Sequence, residues 1–299
     1  MKAGLNRREF LLASSAPGAL LGAGVSPRTA AAAGKVKKGA CIGVLPGTTV
    51  AEKFEAAARA GFEGVEPNTI NVPEEVRQYR DASEKSGVKV HSIMNSDHWR
   101  YSLTDSDPEV VKKCVAGIQT SLRNAHDLGA GTVLLVPGIV TPDVSYAEVY
   151  RRSQEQIRKL IPLAAELRVI IAVENVSNRF LLSPLEFARY IDELQSPWVK
   201  AYFDIGNVVS SAYPQDWIRS LGGRIVRVHI KRFEPGVDHP KFDAKDRRTQ
   251  GVDWPAVQKA ISDIGYEGWV TAEVRGGDES YIKEVSARLD KILSGQQPV

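Results

Sequence analysis

The sequence predicts an α/β fold, a single closed (β/α)8 or TIM barrel, and three observations predict it. Between residues 38 and 293, eight apolar, β-rich runs alternate strictly with eight segments of helical period. In "RAGFEGVE", "KSGVKVHS", "DLGAGTVLLV" and "DIGYEGWVTAEV" a glycine stands just past a helical run, where a C-cap wants a left-handed residue. No glycine-rich phosphate loop follows the first strand, which argues against the rival arrangement, a doubly wound open sheet.

Taken in order, the strand-like runs cover residues 39–45, 64–67, 88–94, 132–136, 169–175, 199–205, 225–231 and 268–274. The helical segments cover 50–60, 74–86, 108–128, 145–167, 184–194, 214–221, 254–264 and 280–293. A helix between every pair of strands is a crossover that only parallel pairing accommodates. Near-continuous apolar runs such as "TVLLV" and "VIIAV" suit strands buried on both faces. The longest irregular segment, 232–253, follows the seventh strand and reads as a functional loop, not a linker. No Pro/Ser-rich or low-complexity boundary divides residues 34–299, so they are expected to form one domain.

Residues 1–33 read differently. Arg7 and Arg8 precede a modest apolar stretch that begins Phe10-Leu11-Leu12, and a small-residue run closes the segment at 30–33. That order is expected of a twin-arginine (Tat) signal peptide, which would deliver the protein to the periplasm or another extracytoplasmic space. The stretch is broken by Pro17 and several glycines and is too short to span a membrane. The segment holds Lys2, Arg7, Arg8 and Arg28 against Glu9, so its removal cancels the formal charge of +3 on the whole chain. A neutral domain lacks the electrostatic footprint of a nucleic-acid binder. No later segment is long and apolar enough for a membrane span. With 299 residues, 43% of them hydrophobic and 25% charged, the chain can bury a sizeable core without staples. Cys41 and Cys114 show no metal spacing; they read as buried free thiols, with one disulfide open in an oxidising compartment.

In a parallel barrel the carboxyl ends of the strands share one mouth, and chemistry sits there. The fifth strand ends "IIAVEN" with Glu174, and the sixth ends "AYFDIGN" with Asp204. The seventh carries His229 in "RVHIK", and the eighth Glu273 in "VTAEV". Singly, each could cap a helix or pair with a lysine. Together, crowded carboxylates repel one another and lose hydration at a cost of several kcal/mol each, and a divalent cation removes both problems. Three carboxylates and an imidazole suit one Mn²⁺, Mg²⁺, Co²⁺ or Zn²⁺ ion, with oxygen-rich ligation tilting towards the harder ions.

With its eight βα units, the motifs "VEN", "FDIGN", "RVHIK" and "GYEGWVTAEV" make the chain resemble the xylose isomerase-like TIM-barrel superfamily of sugar isomerases and epimerases, including its sugar phosphate isomerase/epimerase members. The likeness spans residues 38–293. It implies that Glu174, Asp204, His229 and Glu273 bind one divalent metal and that Glu174 and Glu273 are the catalytic acid/base pair. The implied reaction abstracts a proton next to a carbonyl and returns it through an enediolate, on a ketose or related carbohydrate. The partner expected is therefore a small-molecule carbohydrate, not a nucleic acid or a membrane, and a homo-oligomer is left open. Further substrate-binding candidates are Glu66 in "GVEPN", His91 in "KVHSIM", Trp99 beside His98 in "NSDHWRYSL", Asn207 and Lys231. Glu66 and His91 read equally as satisfied core groups, Trp99 as plain packing, and Lys231 as a partner of Glu273 or Asp204.

Two positions depart from the epimerase pattern. Asn207 stands where that branch carries His three residues after the strand-six Asp, and Arg232 lies at a different spacing from its Arg. Other functions therefore compete. A metal-dependent lyase or hydrolase acting on 3-keto-glycosides would use the same enediolate to expel a leaving group, and export favours it. The endonuclease IV branch needs a histidine-rich three-zinc cluster, against five histidines in this whole chain and a neutral domain. A periplasmic sugar-binding barrel needs neither two glutamates nor a metal.

Overall fold

The computed structural model describes residues 36–246 and 251–298; the signal segment expected at 1–33 lies outside the described residues, as do residues 247–250 of the long loop. The strands are Lys37–Cys41 (β1), Gly64–Glu66 (β2), Lys89–Val90 (β3), Ile93–Met94 (β4), Thr132–Leu135 (β5), Ile170–Glu174 (β6), Val199–Asp204 (β7), Ile225–Ile230 (β8) and Trp269–Ala272 (β9). They form one all-parallel sheet in the order β3-β2-β1-β9-β8-β7-β6-β5-β4. β3 and β4 are halves of a single barrel strand. The first pairs with β2 and the second with β5, while the Met94 amide also donates to Pro67 O at 2.8 Å, so the ring closes. Eight barrel strands in nine pieces is the architecture that the alternation predicts.

The helices are Val50–Ala60 (α1), Pro73–Ser86 (α2), Asp97–Arg100 (α3), Pro108–Asp127 (α4), Tyr146–Leu167 (α5), Pro184–Asp192 (α6), Pro214–Leu221 (α7), Trp254–Asp263 (α8) and Glu279–Leu293 (α9). Their starts are written locally. Thr49 with Glu52, and Ser145 with Glu148, form reciprocal capping boxes, and Asp107, Ser183, Asp253 and Asp278 cap four more. The four stop glycines, Gly61, Gly87, Gly129 and Gly265, all take positive φ. Among the described residues no helix is long and apolar enough to cross a membrane.

Two elements differ from the sequence expectation. The first strand ends at Cys41, and Ile42–Val44 wind into a 3-10 turn with Ile42 and Val44 still buried. An apolar run reports burial, and it does not distinguish a strand from a turn packed under the next helix. The short α3 sits in the loop after β4, too short to show a period.

The core has two layers. Between sheet and helices lie fully buried side chains such as Phe54, Ile118, Leu122, Phe187 and Phe203, each contributing about 1.5–3 kcal/mol by leaving water. Inside the barrel a smaller apolar cluster of Leu134, Val136, Ala172 and Tyr202 underlies the mouth. At the amino end the filling is polar and aromatic: His91 stacks on Trp269 with ring centroids 4.6 Å apart. Only glycine fits opposite them. A Cβ on Gly39 would lie 2.6 Å from His91 Nε2, and one on Gly64 would lie 2.4 Å from the Trp269 ring.

Candidate active site

Strand alternation sends Glu174, Asp204, His229 and Glu273 inward at the carboxyl ends of β6, β7, β8 and β9. Glu273 lies one residue beyond β9, and its amide continues the ladder by donating to Ile230 O at 3.0 Å. One ligand atom from each of the four lies within 4.8 Å of the others. His229 is the hub. Its Nδ1 is 3.1 Å from Glu174 Oε1 and 3.2 Å from Glu273 Oε2. Its Nε2 donates to Glu66 Oε2 at 2.6 Å.

The tips are tied together by backbone. Asn175 bonds both ways with Asp204, its carboxamide accepting from Asp204 N and donating to Asp204 O, each at 2.9 Å. The Asn207 amide donates to Asp204 Oδ1 at 3.0 Å, and the Asn207 side chain donates to Asn175 O at 2.9 Å. Lys231 reaches Asp204 Oδ2 and Glu273 Oε2, both at 2.8 Å. Its path explains Gly206, because a Cβ there would lie 2.1 Å from Lys231 Cγ.

Electrostatics sort the carboxylates. Burial pushes Glu174 up to about 7, against the pull of His229. Burial also lifts Asp204 to about 6, opposed chiefly by Lys231. Glu273 is buried too, yet His229 and Lys231 hold it well below the usual carboxylate range. Burial alone would raise Glu66, but the His229 contact overrides it and keeps Glu66 ionised.

The donor set fits a divalent cation. Three carboxylates converge with one imidazole, and Asp204 Oδ2 and Glu273 Oε2 are buried oxygens with no partner in hydrogen-bond geometry, although Lys231 lies close as an ion pair. Glu66 occupies the far nitrogen of His229 and so leaves Nδ1 as the ligating atom, the carboxylate–histidine arrangement that orients metal ligands. Cys41 completes a second trio with Glu66 and His229. Burial pushes its thiol up to about 12, so it stays protonated and is a poor ligand.

The structure brings together most, not all, of the candidates. Glu66 is 1% exposed and engages His229 through Oε2, while its Oε1 is buried with no hydrogen-bond partner among the described residues. His91 is buried apart from the four rim residues. It lies lower in the barrel, its Nε2 3.1 Å from Thr271 Oγ1 and its carbonyl accepting from Arg227, because Gly39 and Gly64 leave the space it fills. Trp99 is 64% exposed on α3, at the rim. Asn207 and Lys231 both touch the ligand set, but through Asn175, Asp204 and Glu273. Asn175, which sequence reasoning passed over, was signalled only by its place beside Glu174 in "VEN". Both cysteines are free and buried, as expected.

Fold and site together define a parallel barrel whose carboxyl rim carries an acidic, histidine-centred cluster that could hold a metal ion. The family model described as a xylose isomerase-like TIM barrel matches residues 54–292, and the chain belongs to that family. L-Ribulose-5-phosphate 3-epimerase UlaE of Escherichia coli O157:H7 (strain EC4115 / EHEC) is 28% identical over 199 residues, 62% of this chain and 69% of that protein. Among solved structures, 3-keto-D-glucoside 4-epimerase, YcjR, from E. coli superposes with a TM-score of 0.72 at 17% identity, covering 87% of this chain and 100% of that one. An L-ribulose 3-epimerase superposes with a TM-score of 0.71 at 17% identity, covering 87% and 95%. These structural likenesses establish the fold.

Proposed function

We propose that the protein is a divalent-metal-dependent sugar isomerase/epimerase that works through an enediolate on a ketose or related carbohydrate. One observation carries the reading. Glu174 and Glu273 arrive from β6 and from beyond β9, with β7 and β8 between them, and both stop beside His229 Nδ1, at 3.1 and 3.2 Å. Two carboxylates brought to one point from different sides can serve the two faces of a substrate carbon. One glutamate accepts the proton as the C–H bond breaks and its electron pair moves into the enediolate. The other gives a proton to the opposite face, which inverts the carbon, or to the neighbouring carbon, which moves the carbonyl. Glu174, Asp204, His229 and Glu273 would hold the metal, which when bound supplies Lewis-acid stabilisation of the enediolate charge. Glu66 keeps His229 oriented, and Lys231 keeps Asp204 and Glu273 ionised. The sugar epimerase named among the sequence relatives supports the substrate class, and the twin-arginine segment supports an exported enzyme.

A second reading, release of an aglycone from a 3-keto-glycoside by the same enediolate, is favoured by Asn207. Its side-chain nitrogen is taken up by Asn175 O, so the rim carries no imidazole at the place where the epimerase branch has His. Incubating metal-loaded protein in D₂O with D-allulose, D-tagatose, L-ribulose, L-ribulose 5-phosphate and a 3-keto-D-glucoside separates the readings. Deuterium at a carbon beside the carbonyl, with a new epimer or isomer, is the expected result. Aglycone release without epimer would move the assignment to the lyase, and no exchange with any sugar would overturn both readings.

A further inference from the structure

One group near the mouth has no role in the chemistry above. His98 lies on α3 and is 7% exposed, yet its Nε2 has no hydrogen-bond partner among the described residues. Its other nitrogen is fully engaged: Nδ1 accepts from the Val136 amide at 3.3 Å. The Asn95 side-chain nitrogen also lies 3.3 Å from it, and the Asn95 oxygen, 3.2 Å from the Ser121 hydroxyl, sets that amide's orientation. A backbone amide can only donate, so Nδ1 is the lone-pair nitrogen and the proton of the neutral ring resides on Nε2. Burial holds the imidazole neutral by lowering it to about 3. The result is a fixed N–H donor, shielded from water, with no acceptor among the described residues.

Its anchors place it. Asn95 directly follows β4 and Val136 directly follows β5, so the ring is fastened to two strand tips on the catalytic rim. Leu135 pairs with Val173, which puts Val136 level with Glu174 on the adjoining strand. The indole of Trp99 meets the His98 ring edge-on, with centroids 4.8 Å apart, and remains 64% exposed. An apolar ring face beside an unsatisfied buried donor is the combination that holds a polyhydroxylated ligand.

Resting on the sugar reading above, we infer that His98 Nε2–H is a substrate-binding donor, which hydrogen-bonds an oxygen of the bound ketose on the β4–β5 side of the site while Trp99 covers the sugar's C–H face. A protein donor left without an acceptor until the ligand arrives discriminates against analogues lacking that oxygen.

The test uses ¹⁵N-labelled, metal-loaded full-length protein and whichever of the ketoses named above exchanges fastest in D₂O. The free protein is expected to show the Nε2–H tautomer of His98, and saturation with that ketose to shift the Nε2 resonance. His98→Phe should raise KM about ten-fold with a smaller change in kcat, and His98→Gln, which returns an N–H, should recover part of the loss. A deoxyketose lacking the bonded hydroxyl should bind wild type and His98→Phe equally. Should His98→Phe fail to fold, the resonance shift in wild type and the His98→Gln kinetics still decide. An Nδ1–H tautomer, or an unmoved Nε2 signal with unchanged KM while wild type exchanges sugar protons, overturns the role of His98 alone. No exchange with any sugar overturns the sugar reading and the inference with it.

Discussion

The barrel encloses polar groups at both ends, and the two ends solve burial differently. At the amino end a single cation, Arg227, meets uncharged groups: His91 bonds Thr271, stacks on Trp269 and receives Arg227 on its carbonyl. His91 Nδ1 and Arg227 Nε have no hydrogen-bond partner among the described residues. At the carboxyl end three carboxylates crowd one imidazole, and two of their buried oxygens lack a hydrogen-bond partner. Burial of polar atoms therefore marks nothing by itself. Unbalanced like charge does, because a fold held only for stability would replace it with groups that satisfy each other.

The sharpest way to break that comparison is to remove charge from the rim. Glu273→Gln and Glu174→Gln each keep shape and should keep the fold, while turnover on the exchanging sugar falls by about 10³-fold, within the range for loss of a general acid or base. Single-turnover measurements with matched metal occupancy check it. Full activity in both variants would remove the acid/base assignment. At the amino end no substitution should act on turnover in this way.

How much of this contrast was legible before the fold was seen depends on what a residue's periodicity can report. Strand alternation is enough to put Glu174, Asp204, His229 and Glu273 on one rim, because each ends a recognisable β run. Depth inside the barrel is a different matter. His91 and Glu66 both face inward, but the layer His91 occupies is set by Gly39 and Gly64, residues whose importance is what they lack. Pairings such as Glu66 with His229, 163 positions apart, depend on ring closure and leave no local trace. The same holds for the end of β1 at Cys41, where a buried turn and a buried strand have the same composition.

The ends should also respond oppositely to acid. Burial chiefly holds His91 down to about 3, below its ordinary 6.5. The unfolded chain therefore takes up a proton that the folded one refuses, and stability that is complete above pH 6.5 is lost as pH falls towards 3. At the rim of the metal-free protein, burial raises Glu174 from 4.5 to about 7. The folded state then binds the proton more readily, so that penalty is relieved as pH falls from about 7 to 4.5. Denaturant melts of metal-free wild type and His91→Gln across this range should show the variant's acid slope flattened. Parallel slopes would mean that His91 is not the group held neutral.

A smaller effect joins the two layers. Glu66 is buried beneath the rim and, among the described residues, reaches the four-residue cluster through His229. Glu66→Gln keeps an acceptor for Nε2 but removes the charge, and should weaken metal affinity by about ten-fold, the low end for loss of a ligand's supporting carboxylate. Calorimetric titration with Mn²⁺ measures it. Unchanged affinity would mean that Glu66 does not support the metal through His229.

The finest test compares two glycines. Gly64→Ala places a Cβ 2.4 Å from the Trp269 ring, a rigid obstacle enclosed by the barrel floor. It should destabilise by about 1–3 kcal/mol, as overpacking does, with metal affinity unchanged. Gly206→Ala places its Cβ 2.1 Å from Lys231 Cγ, on a flexible chain that can swing away. Its cost in stability should stay at about 1 kcal/mol, since Lys231 and Glu273 are partly exposed and the fully buried Asp204 can take up a proton once the lysine leaves. What it should change is the rim: without Lys231 beside them, Asp204 and Glu273 lose the cation that keeps them ionised. Melting temperature and Mn²⁺ titration, read together on both variants, decide the matter. If Gly64→Ala altered metal binding, or Gly206→Ala unfolded the protein while sparing it, the division between a structural floor and a functional rim would fail.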